Sequence, residues 1–293
     1  MVAERLFHKG TCKLNEQSKD RVLSLSRNLD LESFREMLQP ASPVLAIRIR
    51  DYMPKDLCER VARDILDRHA KSFKRNAFAP ELGVAKMGLL FGEACVNLDL
   101  MDFYFTNAKG EARAIREAFM PYLGPIDKVR MDLDELWPRG AKIAEMHGKR
   151  MSSGMLRSTS IGAGLVPHQD DIVEEYPQSD WKPTVELVHN VYLSVPQIGQ
   201  GGEFEVFDYA PAHADPVVEH YKDVKPGDDY LPSSDLEGIK SAASVVIQPE
   251  TGDLILFRGK CIHKVHTVKS GSRLTSCFHI GYMDDTQPLK CWI

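Results

Sequence analysis

Apolar residues change their period once along this chain, near residue 150. In PKDLCERVARDILDRHA, which starts at Pro54, residues Leu57, Val61 and Ile65 stand four apart with Cys58, Ala62 and Leu66 beside them. That spacing lines one face of a helix. A short strand, VLAIRI at 44–49, precedes it. Further helical patterns run through EARAIREAFMPYL (111–123) and DKVRMDLDELW (127–137) until Pro138 and Gly140 interrupt. After Ser153 the texture becomes short β-type runs: GMLRSTS, VELVHNVYLSV, EFEVFDY, SVVIQ, DLILF, CIHKVHTV and RLTSCFHIGYM, separated by Gly, Pro and Asp clusters. Several short strands without intervening helices predict an antiparallel barrel or jelly roll.

The chain therefore reads as α+β and mainly β. We expect one domain over 1–293, with 1–150 as mostly helical support for a β core over 151–293, because no low-complexity linker separates the halves. One segment breaks the strand rhythm. Residues 210–244, APAHADPVVEHYKDVKPGDDYLPSSDLEGIKSAAS, are polar and rich in Pro, Asp and Ser. An insert of that length in a compact domain predicts a lid, a binding loop or a disordered excursion rather than a plain connection.

Composition narrows the partners. The 293 residues are 43% hydrophobic and 27% charged, with a formal charge of −5, which gives no basic footprint of the kind nucleic acid requires. Six scattered cysteines without a C-x-x-C pair argue for reduced thiols. The N-terminal stretch lacks a signal-peptide core and no run of about 18 apolar residues is present. The expectation is a cytoplasmic protein, a monomer or homodimer, with a small-molecule substrate and no membrane or nucleic-acid partner.

Candidate chemistry begins at LVPHQDDIVEE (165–175), where His168 and Asp170 stand two apart. Ten histidines and 42 acidic residues in 293 predict about 1.4 such triplets by chance, and the chain has two. The second, His213-Ala214-Asp215, lies in the polar insert with no strand to hold it. His168 and Asp170 instead follow an apolar strand, and period-two alternation sends residues i and i+2 to one face. A third ligand is offered by GDLILFRGKCIHKVHTVKSGSRLT (252–275), with His263 or His266. Two histidines and a carboxylate on one side of a metal leave the opposite positions open, the arrangement used for oxygen activation at non-haem Fe(II).

With these residues in view, the chain resembles the Fe(II)/2-oxoglutarate-dependent dioxygenases. The resemblance is carried by His168-x-Asp170, by IHKVHTVKSGSRLTS, in which Arg273 follows His263 by ten residues, and by VYLSVPQIGQGGEFEVF between them. It covers approximately residues 154–283. It implies a double-stranded β-helix of the jelly-roll, cupin-like kind, with His168, Asp170 and His263 as iron ligands. It also implies Arg273 as the cation for the distal carboxylate of 2-oxoglutarate, with O2 as oxidant and succinate and CO2 as products. Thr275, two residues along the same strand, faces the same way and offers a hydroxyl. VLAIRIRDYMPKDLCERVARDIL and MLRSTSIGAGLVPH are similar to the free-standing branch that includes the indole-alkaloid halogenases. Those halogenases carry a small residue where Asp170 stands, which leaves a coordination site for chloride. An aspartate there implies hydroxylation of an amino-acid-like or alkaloid-like metabolite.

Other residues admit two readings each. His266, three residues beyond His263, should point to the opposite face of a strand, there to pack or to be exposed. Arg157 lies on the strand leading to His168 and is a candidate for 2-oxoglutarate or for an acidic substrate, against a plain salt bridge. Asn190 and Tyr192 share a strand face and are candidate substrate contacts, against a core hydrogen-bonded pair. Cys277 and His279 continue the face of Arg273 and read as barrel filling. The same iron chemistry also serves desaturation, cyclisation and epimerisation. From other classes, a cupin-like metal hydrolase or isomerase is disfavoured by Arg273, and a non-catalytic ligand-binding barrel by the intact triad.

Overall fold

A computed structural model describes residues 21–75, 83–95, 98–211 and 236–293. Its strands are β1 (Val22–Ser26), β2 (Ala46–Arg50), β3 (Lys74–Arg75), β4 (Val84–Met87), β5 (Ala141–Ile143), β6 (Glu145–Met146), β7 (Lys149–Arg150) and β8 (Met155–Thr159). There follow β9 (Leu165–His168), β10 (Val185–Ser194), β11 (Phe204–Phe207), β12 (Ser244–Ile247), β13 (Leu254–Arg258), β14 (His263–Val265), β15 (Arg273–Tyr282) and β16 (Leu289–Trp292). The helices are α1 (Leu31–Leu38), α2 (Lys55–Arg68), α3 (Phe91–Ala94), α4 (Leu98–Phe119), α5 (Pro125–Leu136), α6 (Ile172–Glu175) and α7 (Leu236–Ser241).

Two sheets face each other as a jelly roll. The larger runs β1-β2-β13-β10-β15-β8-β4-β3, with β16 and β5 continuing beyond the C-terminal half of β15. The smaller runs β12-β11-β14-β9. The ten-residue strands β10 and β15 are buried on both faces along almost their whole length. Their outer face, with Leu187, Val191, Phe278 and Ile280, belongs to the main hydrophobic core. Helix α2 packs on β10 through the stripe Cys58, Val61, Ala62 and Ile65, each large apolar side chain stabilising by about 1.5–3 kcal/mol. Their inner face carries Glu186, Val188, Asn190 and Tyr192 opposite Gly281, His279, Cys277 and Thr275. That is the face on which polar groups meet.

Local signals explain the boundaries. Asp30 caps α1 by accepting the Ser33 amide at 2.7 Å, and Pro125 opens α5 where no amide partner is required. The Gly201-Gly202 turn before β11 needs glycine: Gly201 has φ +82, and a Cβ there would collide with the Thr267 carbonyl. The N-terminal half is less purely helical than its periodicity indicates. Strands β1–β4 all join the larger sheet, β2 by pairing with β13. The polar insert at 210–244 falls mostly outside the described residues, as do His213 and Asp215. Cys58, Cys95, Cys261, Cys277 and Cys291 are free thiols. Among the described residues no helix is long and apolar enough to cross a membrane.

Candidate active site

The smaller sheet brings two distant histidines into register. His168 ends β9 and His263 begins β14, and the two are direct cross-strand partners, with ring centroids 4.3 Å apart. Asp170 lies just past β9, held by its amide donating to the Gly259 carbonyl at 2.8 Å. Ligand atoms of His168, Asp170 and His263 all lie within 4.8 Å of one another, and Nε2 of His263 is 3.3 Å from Oδ2 of Asp170. Two bonds of about 2.1 Å meeting at a right angle separate their donor atoms by about 3 Å, so the spacing suits one ion.

The ring tautomers are set by the backbone. Nδ1 of His168 donates to the Val166 carbonyl at 2.7 Å, and Nδ1 of His263 donates to the Cys261 carbonyl at 2.9 Å. A carbonyl only accepts, so each Nδ1 carries a proton and each Nε2 is the nitrogen turned towards the site. Burial and the neighbouring His263 push His168 down to about 3, which keeps it a neutral ligand. Burial alone would raise Asp170, but its contact with His263 and the positive potential of His279 hold it well below the usual carboxylate range. The loop that carries Asp170 is tied further by Asp171 pairing with Lys260 at 2.8 Å. Glu186 fixes its other end by accepting the Ile172 amide at 3.0 Å.

A cavity opens beside these three residues. Asp170, His263, Arg157, Arg273, Asn190 and His279 line it, with Phe204, Phe257, Val188 and Val265 among its apolar wall. Arg273 is 1% exposed, and its Nε and Nη2 are buried with no hydrogen-bond partner. The contrast is Arg48 on the same inner face, whose Nε donates to Asp253 at 2.8 Å and whose Nη2 reaches Glu250 at 3.1 Å. A structural arginine in this barrel is supplied with carboxylates, whereas Arg273 is supplied with none by the protein. Nε and Nη2 form one edge of the guanidinium, the edge that takes both oxygens of a carboxylate.

The remaining candidates separate by depth. Thr275 is fully buried on the face of Arg273, directly across from both Tyr192 and Arg157. Tyr192 lies deeper than Asn190: its ring sits 5.2 Å from the Arg273 guanidinium and its hydroxyl is buried without a partner. Asn190 lines the cavity itself. His266 turns away, its Nε2 meeting Glu205 at 2.9 Å.

One polar pair at the site went unread in the sequence. His279 is no mere filling, for its Nδ1 meets Glu186 Oε1 at 2.7 Å and its ring packs on Trp292. Burial works against a charged His279, yet the Glu186 hydrogen bond and Asp170 hold it up at about 9. The available signal was Glu186 itself, a carboxylate in the otherwise apolar start of β10 that needs an internal partner.

Comparison with known proteins places the chain. A family model described as carrier-protein-independent halogenase WelO5 matches residues 40–292. No curated protein sequence matches. Among solved structures, an N-substituted L-amino acid dioxygenase from Burkholderia ambifaria AMMD superimposes with a TM-score of 0.60 at 16% identity, over 90% of this chain and 91% of that one. The same dioxygenase in complex with alpha-KG gives 0.58 at 14% identity, over 90% and 91% of the two chains. At those identities the likeness is one of fold.

Proposed function

Since the chain belongs to the carrier-protein-independent halogenase WelO5 family and is an iron- and 2-oxoglutarate-dependent oxygenase, we propose that it hydroxylates an unactivated C–H bond of a small metabolite. The observation that carries this reading is Asp170. Family halogenases have a small residue at that position, and the opening serves chloride. In this chain a carboxylate occupies it, 3.3 Å from His263, so the reading gives His168, Asp170 and His263 the role of iron ligands.

Bound iron, with O2 and 2-oxoglutarate, supplies oxidative decarboxylation to succinate and CO2 coupled to oxidation of the substrate. The chain's own residues do the rest. The backbone carbonyls of Val166 and Cys261 hold both imidazoles in the ligating tautomer. Arg273, whose Nε and Nη2 have no protein partner, would hold the distal carboxylate of 2-oxoglutarate, with the Thr275 and Tyr192 hydroxyls beside it. Phe204, Phe257 and Val265 give the cavity an apolar wall that limits water at the reacting carbon. Asn190 lines the cavity and is the candidate polar contact for the substrate.

Chlorination is the second reading, and the family match favours it. Incubation with a pooled metabolite library, 2-oxoglutarate and excess chloride separates the two by mass spectrometry. The proposal expects products heavier by one oxygen, formed with succinate. A chlorinated product overturns it.

A further inference from the structure

The cavity holds a second guanidinium to which the protein supplies no carboxylate partner. Arg157 lies midway along β8, between Thr275 on β15 and Lys86 on β4. It is half-buried and lines the cavity beside Asp170, His263 and Arg273. Lys86 is already committed to Glu93. Among the described residues no carboxylate comes within ion-pair distance of Arg157, and Asp170, held against His263, is the sole side-chain carboxylate lining the cavity.

Charge decides what Arg157 awaits. Arg157 brings one positive charge, with no carboxylate at ion-pair distance, to a small and mostly enclosed space, where an unpaired charge is costly. The free edge of Arg273 offers donors to both oxygens of the distal co-substrate carboxylate, so that carboxylate would not call on Arg157 as well. The guanidinia also differ in depth: Arg273 is closed off at the bottom, and Arg157 remains partly open.

We propose that Arg157 binds a carboxylate of the substrate itself, making this a hydroxylase of a monoanionic acid with a neutral nitrogen, such as an N-acylated amino acid. The inference rests on the iron and 2-oxoglutarate reading above. A phosphate dianion overcompensates the single positive charge. A free amino acid brings an ammonium group, for which no unengaged side-chain carboxylate lines the cavity among the described residues.

The test is calorimetry under nitrogen on the protein loaded with Fe(II) and 2-oxoglutarate. The probes are the N-acetyl forms of leucine, phenylalanine, proline and tryptophan, each beside its carboxamide and its free amino acid. We expect at least one N-acetyl acid to bind about tenfold or more tightly than its two counterparts, as a hydrogen bond to a charged group allows. R157Q abolishes that preference, R157K keeps part of it, and neither moves the 2-oxoglutarate titration midpoint by more than about threefold. Acids and carboxamides that bind alike, or a set in which none binds, overturn the proposal. So does an R157Q variant whose 2-oxoglutarate affinity falls about tenfold or more, which moves Arg157 to the co-substrate. If the iron–2-oxoglutarate absorption band fails to form in the unmodified protein, the underlying reading fails instead.

Discussion

Replacing Arg273 with leucine separates a binding role from a packing role, because the two predict opposite signs. Arg273 is 1% exposed and two of its donors have no protein acceptor. In the ternary complex those donors meet a carboxylate, and removing one partner of a buried charge pair costs about 3–5 kcal/mol. That is about two to four orders of magnitude in 2-oxoglutarate affinity. Without co-substrate, the guanidinium destabilises the fold, since an unsatisfied buried donor costs about 1–3 kcal/mol. Leucine removes that cost, and at about 2–4 °C per kcal/mol the variant's Tm without 2-oxoglutarate should match or exceed that of the natural protein by several degrees. Thermal melts under nitrogen, with and without Fe(II) and 2-oxoglutarate, read both effects. The natural protein should gain about 2.7 kcal/mol of stability at a hundredfold excess over Kd, and the variant nothing. A variant that melts several degrees lower without 2-oxoglutarate, or that keeps its affinity, refutes the assignment.

Three further outcomes follow from the site. His168→Ala or His263→Ala should weaken Fe(II) binding by more than the about 10–100-fold that loss of a supporting partner costs, while His266→Ala leaves it unchanged; equilibrium dialysis with a metal indicator measures all three. In the metal-free protein His279, raised from 6.5 to about 9 beside Glu186, contributes stability that is complete below pH 6.5 and is lost as pH rises through about 9. Urea midpoints should therefore fall across that window, and Glu186→Gln should flatten the decline; a profile identical in the variant contradicts the pairing. Asp170→Gly, with chloride in excess, should lose most of its iron and give little or no chlorinated product by mass spectrometry, because the surrounding residues are not arranged to hold chloride; efficient chlorination by this single change contradicts that expectation.

Much of the site was legible because its chemistry sits at fixed offsets on strands. His168, Asp170, His263 and Arg273 are recognisable by spacing, and alternation correctly sent Thr275 with Arg273 and His266 away from the cavity. The long strands β10 and β15 were readable as runs of apolar and β-branched residues. What escaped had weaker local signals. Helix α4 begins at Leu98, but its first turns, LDLMDFYFTN, are crowded with aromatics that favour strands as readily as helices. Strand β16 is four residues, LKCW, recruited by pairing with β15 and β5 rather than by its own pattern. Glu186 and His279 meet diagonally across two strands far apart in the chain, a contact set by register alone. The partnerless state of Arg157 and Arg273 is likewise a property of the folded cavity, since carboxylates are plentiful in the sequence.

The central claim is that His168, Asp170, His263 and Arg273 together bind iron and 2-oxoglutarate. The most direct test is the visible absorption spectrum of the protein under nitrogen as Fe(II) and then 2-oxoglutarate are added. A metal-to-ligand charge-transfer band that develops only when both are present, saturates at one equivalent of iron, and is absent from His168→Ala is the predicted result. A protein that takes up Fe(II) and 2-oxoglutarate and shows no such band, or shows it undiminished in His168→Ala, contradicts the account.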